Sequence, residues 1–282
     1  MVDGKIQSTP PPDVERTDRL VLPQRFDPDR RVVAVTGSSS FLGRELLSRL
    51  DADRRYQQIL ALDVEPPSLR LTKTDFHRID LTQPNADMEI ARLFKAKGVD
   101  TLVHLAFLSY PSHNATWAHE LEAIGTLHVL NAAAACTLHK VVLRSLTALY
   151  GARPDNPAYL DEAWPRRGVS GSRFFSDKLE AERLTLRFAA ENPSTVVTVL
   201  RTAPILGRRI DNYISRFVDR LIVPTVLGYD PLFQLLAEDD AIAALQLCLD
   251  ADYAGIFNLA GEGLLPLSTL LAMAGKLPLP LP

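Results

Sequence analysis

Apolar positions along the chain recur with two periods that alternate. Arg31-Val32-Val33-Ala34-Val35 is a short, β-branched run of the length of a buried strand. Leu42, Leu46, Leu47 and Leu50 then fall on one face at helical spacing. The alternation continues with strands at 58–62 and about 76–79, and with a helix carrying Ile90, Leu93 and Phe94 that Gly98 can close. A nearly continuous apolar strand at 101–106 suits a parallel strand covered on both faces. Next come a long helix at about 117–135, a strand at 140–145 and a polar, proline-marked loop at 155–169. A helix at 174–190 follows, with Leu179, Leu184 and Phe188 on one side, and strands at 196–200 and 255–259 end the series. Alternating β and α units with short links predict an α/β fold with a doubly wound parallel sheet.

Residues 1–29 mix Pro10-Pro11-Pro12 with scattered charges and are expected to form a flexible leader. Residues 30–282 then form one unit. Its core is expected at about 30–205 and 233–260, with a smaller, discontinuous lobe from about 206–232 and 261–282. The run Leu277-Pro278-Leu279-Pro280-Leu281-Pro282 reads either as the edge of a truncated domain or as a segment lying on the surface.

Composition narrows the partners. Hydrophobic residues make up 46% of the 282 and charged residues 23%, which is ordinary for a soluble globular protein. A formal charge of −3 gives no reason to expect nucleic acid or an anionic membrane as partner. No apolar run approaches a membrane span, and the N-terminus lacks the apolar core of a signal peptide. Cys136 and Cys248 lack C-x-x-C spacing and are expected as reduced, packed thiols of a cytoplasmic protein. The histidines show no grouping with carboxylates or thiols, so no metal is expected, and His104, inside an apolar strand, is expected to be a packed core residue.

The first strand and helix are joined by Thr36-Gly37-Ser38-Ser39-Ser40-Phe41-Leu42-Gly43. A strand turning through small residues into a helix aims backbone N–H groups and a helix N-terminus at one spot, which suits a pyrophosphate. Against G-x-x-G-x-x-G spacing, Gly37 and Gly43 are present and the middle glycine is Ser40. Its hydroxyl could crowd the phosphates or donate a hydrogen bond to them. Asp63 ends the second strand twenty positions after Gly43, where a dinucleotide-binding βαβ unit places an acid against the adenosine ribose. An acid there repels a 2′-phosphate and favours NAD over NADP. Gly37, Asp63, Asp80, Ala106, Ser145 and Ala203 all lie near strand carboxyl ends, where ligands of such sheets bind.

From Arg31 to about Leu271 the chain resembles the extended short-chain dehydrogenase/reductase family, in its NAD-dependent epimerase/dehydratase group. The likeness rests on Gly37 to Gly43, Asp63, Asp80-Leu81, His104-Leu105-Ala106, Gly125-Thr126 and Ser145 to Gly151. It continues through Lys178-Leu179-Glu180-Ala181-Glu182, Leu200-Arg201 to Gly207, Glu238-Asp239-Asp240 and Phe257-Asn258-Leu259, all in the family's order. The resemblance implies a Rossmann-type core that holds NAD through Gly37, Ser40, Phe41, Leu42, Gly43, Asp63, Asp80, Leu81, Leu105, Ala106, Lys178 and Ala203. It implies hydride transfer on a small-molecule substrate, usually a nucleotide-linked sugar, with Lys178, Ser145 and Thr147 as candidate catalytic residues. It also implies a homodimer, because the helices at 117–135 and 174–190 correspond to the pair that family members pack into a two-fold interface.

Three positions depart from the family where its chemistry occurs. Its Tyr-x-x-x-Lys motif supplies a phenol as acid/base, but Phe174 stands four residues before Lys178. The hydroxyl position four before Tyr150 is Leu146, flanked by Ser145 and Thr147, and the asparagine usual three before the Gly-Thr pair is Glu122. Losing a positioned acid/base slows a reaction by about 10² to 10⁴. Two expectations therefore stand side by side: an NAD-dependent epimerase, dehydratase or reductase with an atypical site, or a dinucleotide-binding sensor without turnover.

Overall fold

The structure is a computed structural model that describes residues 31–282 apart from 137, 154 and 158; the expected leader at 1–29 lies outside the described residues. Seven parallel strands form the central sheet: β1 (Arg31–Thr36), β2 (Tyr56–Asp63), β3 (Thr74–Arg78), β4 (Thr101–His104), β5 (Lys140–Leu146), β6 (Val196–Thr202) and β7 (Gly255–Leu259). Their order across the sheet is β7-β6-β5-β4-β1-β2-β3. Strand β1 pairs with β2 on one side and β4 on the other, so the chain reverses its winding there. That reversal is the topological switch at which the carboxyl ends of neighbouring strands open a crevice.

Both faces of the sheet are covered. Val33 and Val35 point into one apolar layer with Leu46, Leu47 and Leu50 of α1 (Phe41–Ala52). Ala241, Ile242, Leu245 and Leu249 of α7 (Glu238–Asp250) complete that layer. Val32 and Ala34 point the other way, against Ile90 and Phe94 of α2 (Ala86–Lys97), Val129 and Ala133 of α4 (Gly125–Cys136) and Phe188 of α5 (Arg173–Glu191). Alternate residues of one strand thus serve two cores, which is why β1 reads as an unbroken apolar run. Gly98 closes α2 in the left-handed conformation, its N–H bonded to the Phe94 carbonyl.

The long helix differs from the expected single rod. It starts as α3 (Ala115–His119), widens to a π turn over Glu120–Ile124 and continues as α4. Thr126 caps the irregular turn by donating its hydroxyl to the Glu122 carbonyl at 2.5 Å, a local bond that competes with the helical ladder. A side chain at Gly125 would stand 2.9 Å from the Leu81 Cβ, so the helix needs glycine to lie this close to β3 and its following loop. Strand β4 is shorter than expected, ending at His104 rather than Ala106: Phe107 N–H folds back onto the Leu105 carbonyl at 2.8 Å.

Helices α6 (Tyr213–Asp219) and α8 (Leu267–Met273) share an apolar cluster through Ile214, Val218 and Leu270. The C-terminal run Leu277–Leu281 is a surface strand that pairs in parallel with Ile222–Val226. Its prolines alternate with leucines, which suits an edge: Leu277 N–H donates to Leu221, while Pro278 and Pro280 have no N–H to offer.

Candidate cofactor cleft and active site

The carboxyl ends of β1, β2 and β4 border a cleft of about 640 Å³. Gly37 forms its floor with φ +66°, and a Cβ there would stand 2.6 Å from the Leu105 carbonyl carbon and oxygen. Only glycine lets the first turn lie this flat on the end of β4. Gly43 lies behind it, where a Cβ would come 2.2 Å from the Gly37 carbonyl oxygen and push α1 off the turn. Ser40 neither crowds the cleft nor aims a donor at it. Its hydroxyl donates to the Gly37 carbonyl at 2.7 Å and accepts the Gly43 N–H at 3.1 Å, making Ser40 the N-cap of α1. The serine thus ties down the turn that a central glycine would leave free.

Asp63, at the end of β2, lines the same cleft. One carboxylate oxygen accepts both the N–H and the hydroxyl of Ser39, at 2.9 and 2.7 Å, and the other accepts the Val64 N–H at 2.8 Å. Ser39 therefore locks the acid against the Gly-rich turn, a role that its place in a serine run does not advertise. Asp80 is the second acid of the cleft. Burial pushes its carboxyl pKa up, but the Thr82 hydroxyl and amide, the Gln83 amide and the Arg78 charge outweigh that and hold it below the ordinary value. Of the residues assigned to the cofactor from the sequence, Gly37, Ser40, Phe41, Asp63, Asp80, Leu81, Leu105 and Ala106 line the cleft. Leu42 and Gly43 back it from α1, whereas Ala203 and Lys178 are not in its lining. The cradle that a Cβ would fill and the two fixed acids fit a dinucleotide.

The three candidate catalytic residues sit elsewhere. Lys178 is buried on α5, and its amine donates to Glu122 Oε1 at 2.5 Å and to the Leu108 carbonyl at 3.0 Å. Glu122 also accepts the Leu108 N–H at 2.7 Å, so this ion pair holds both backbone polar groups of one residue. Burial pulls the Lys178 pKa down to about 8 against the pull of Glu122, and burial raises that of Glu122 despite the lysine. Phe174 places its ring 4.2 Å from the lysine amine, in cation–π contact. Ser145 turns its hydroxyl to the buried Glu182 and away from the cleft. Glu182 is held in turn by Arg201 at 2.7 and 3.0 Å and by Arg166 at 3.0 Å. The Thr147 hydroxyl donates to the Thr202 carbonyl at 3.5 Å. Tyr150 joins the same buried network, donating to Asn258 at 2.7 Å and accepting from Arg201 at 2.6 Å.

Phe107 and Leu108 belong to the cleft lining, and Phe107 also borders the small cavity that contains Lys178. Thus one loop separates the cofactor crevice from the α5 residues. His104 is fully buried between Thr36 and Thr126 hydroxyls at 2.6 and 2.9 Å, and burial lowers its pKa to about 3. It is a neutral packed histidine. Among the described residues no group of three potential metal ligands occurs, and no helix is long and apolar enough to cross a membrane.

This crevice at the switch point of a seven-stranded parallel sheet defines an α/β dinucleotide-binding protein. Residues 33–260 match the NAD dependent epimerase/dehydratase family, and the chain belongs to it. The cofactor is NAD. An uncharacterised protein of Mycobacterium tuberculosis (strain H37Rv) is 34% identical over 262 residues, spanning 89% of this chain and 68% of its own length. The UDP-glucose 4-epimerase of Thermotoga maritima, solved with UDP-glucose, shares the fold at TM-score 0.73 and 19% identity, over 88% of this chain and 85% of its own. The UDP-glucuronic acid 4-epimerase of Bacillus cereus, solved with UDP-glucuronic acid and NAD, does so at TM-score 0.72 and 18% identity, over 89% and 86%.

Proposed function

We propose that the chain is an NAD-binding oxidoreductase of the epimerase/dehydratase type that acts on a nucleotide-sugar-like substrate through an atypical active site. The observation that carries this reading is the contrast between the two halves of the site. The cleft keeps its glycine floor and both acids, while Lys178 is committed to Glu122 and Leu108 beneath the ring of Phe174. Gly37 and the turn would hold the pyrophosphate, Asp63 the adenosine ribose, and Asp80 with Leu81 the adenine. Bound NAD supplies the hydride acceptor. This chain must position the substrate and move its proton without a phenol at position 174.

One observation favours a second reading, a dinucleotide-binding sensor or regulatory protein without turnover: the amine that would hold the nicotinamide ribose already gives two of its three donors to Glu122 and the Leu108 carbonyl. Product analysis separates the two. Wild-type protein incubated with NAD and UDP-sugars should yield a converted sugar, with NADH only the transient hydride carrier, if the first reading holds. If it converts none and forms no NADH at 340 nm while Phe174→Tyr with Leu146→Thr and Glu122→Asn does, the site is silenced and the second reading stands. A cytoplasmic location accords with two free cysteines. The reading includes a two-fold homodimer, supported by Leu127, exposed at 37% on the long helix. Light scattering at tens of micromolar that gave a monomer mass would rule the dimer out.

A further inference from the structure

Among the described residues Arg144 is a cation with no hydrogen-bond or ion-pair partner. It interrupts the apolar stretch Val141-Val142-Leu143 of β5 just before Ser145-Leu146. Its Nε is enclosed and unbonded, and no described carboxylate stands within ion-pair distance of its guanidinium. It borders a cavity of about 10 Å³ shared with Phe107, Leu146 and Lys178, space for no more than about one water. Two groups feel its charge, Tyr213 and Glu122, and Glu122 is already taken by Lys178 and the Leu108 amide. The Tyr213 ring stands edge-on to Phe174, centroids 6.3 Å apart, and its N–H anchors α6 to the Ser109 carbonyl in the cleft wall at 3.1 Å.

Arg144 is only partly exposed, with its Nε enclosed; a guanidinium withdrawn from water in this way is costly unless paired, and arginine, unlike lysine, does not escape by releasing its proton. A residue that merely packed here would be apolar like its strand neighbours. The charge is therefore placed for an anion that arrives. Arg144 stands at the carboxyl end of the sheet with one ring, Phe107, between it and the cleft, since that ring borders both spaces. The planar fork of arginine matches a carboxylate through two parallel N–H···O bonds, and the Tyr213 hydroxyl offers a third donor.

We infer that Arg144, with Tyr213 beside it, is the recognition site for a carboxylate at the reacting end of the substrate, which makes that substrate a nucleotide-linked sugar acid. The inference rests on the nucleotide-sugar reading above and narrows it. The carboxylate reaches the guanidinium when the Phe107 ring, now tilted against His104 with centroids 4.9 Å apart, turns aside.

UDP-glucose and UDP-glucuronic acid differ only in that carboxylate, so their affinities for the NAD-loaded protein test the site. Calorimetry should show UDP-glucuronic acid at least about tenfold tighter, which is about 1.4 kcal/mol. Arg144→Met should collapse the difference between the two. Equal affinities in the wild type, or an equal loss of both ligands in Arg144→Met, would overturn the inference. Glucuronate without a nucleotide is the second probe, read as thermal stabilisation. Stabilisation of the wild type and not of Arg144→Met supports the carboxylate site even if neither UDP-sugar binds, in which case only the nucleotide reading fails. Glucuronate that protects both forms alike, or neither, contradicts the site. A folding defect would show as a lowered Tm of Arg144→Met. The opposite is expected, because the substitution removes an unpaired charge whose Nε is enclosed.

Discussion

Glu122→Gln isolates what holds Lys178 away from the cleft. The variant keeps the size of the side chain and an oxygen for the Leu108 N–H, but removes the charge that faces the lysine at 2.5 Å. The Lys178 pKa, already pulled by burial from 10.5 to about 8, should then fall further. Between the two folded-state values the variant binds fewer protons than the wild type. Its stability deficit therefore grows as pH falls and vanishes above the wild-type value. The deficit should be negligible at pH 9 and on the order of 1 kcal/mol at pH 7. It should deepen by about 1.4 kcal/mol per further unit, towards the roughly 3–5 kcal/mol of a broken buried pair. Urea unfolding of both proteins at pH 9, 8, 7 and 6.5 measures this directly. A deficit that does not change with pH, or none at pH 6.5, would show that Lys178 and Glu122 are not a buried ion pair.

Three further outcomes follow from the same geometry. Gly37→Ala places a methyl group 2.6 Å from the Leu105 carbonyl at φ +66°, so it should lose at least about 2 kcal/mol in urea unfolding and abolish NAD binding by calorimetry. Stability within 0.5 kcal/mol of wild type (roughly the scatter expected of a surface substitution) would refute it. His104, whose folded pKa of about 3 lies below an unfolded value near 6.5, contributes stability that is lost as pH falls through that window. Between pH 7 and 5 it should account for about 2 kcal/mol, and His104→Asn should flatten that part of the profile; an unchanged slope would count against a neutral buried imidazole. Lys178→Ala should leave NAD affinity within about threefold of wild type, because the lysine does not line the cleft, and a tenfold loss would return it to the cofactor.

Much of this arrangement was legible in the residue pattern, for a physical reason. A parallel strand buried on both faces must be continuously apolar, so 31–35, 58–62, 101–106, 140–145 and 196–200 stood out. The acids that end such strands, Asp63 and Asp80, fell where the crevice opens. Features set by side-chain direction were harder to read. Ser40 in a glycine position leaves open whether its hydroxyl meets phosphate or backbone, and only the curl of the turn onto the Gly37 carbonyl decides. Glu122 was visible as a replaced asparagine, yet its capture of Lys178 spans 56 positions and depends on a loop folding back at Leu105. Ser145 looked available because it adjoins the family's hydroxyl position, but strand alternation turns it to Glu182 on α5. Arg144 carries a signal of its own, a cation inside an apolar strand.

Lys178 faces the ring of Phe174 rather than a phenol, beside a cleft whose glycine floor and two acids fit NAD. The most direct measurement is calorimetric titration of the wild-type protein with NAD and with NADP. Asp63, fixed by Ser39 at the end of β2, should repel the extra phosphate, so NAD should bind at least about tenfold tighter, and Asp63→Ala should narrow the gap. Absence of NAD binding, or equal or tighter binding of NADP, would contradict it.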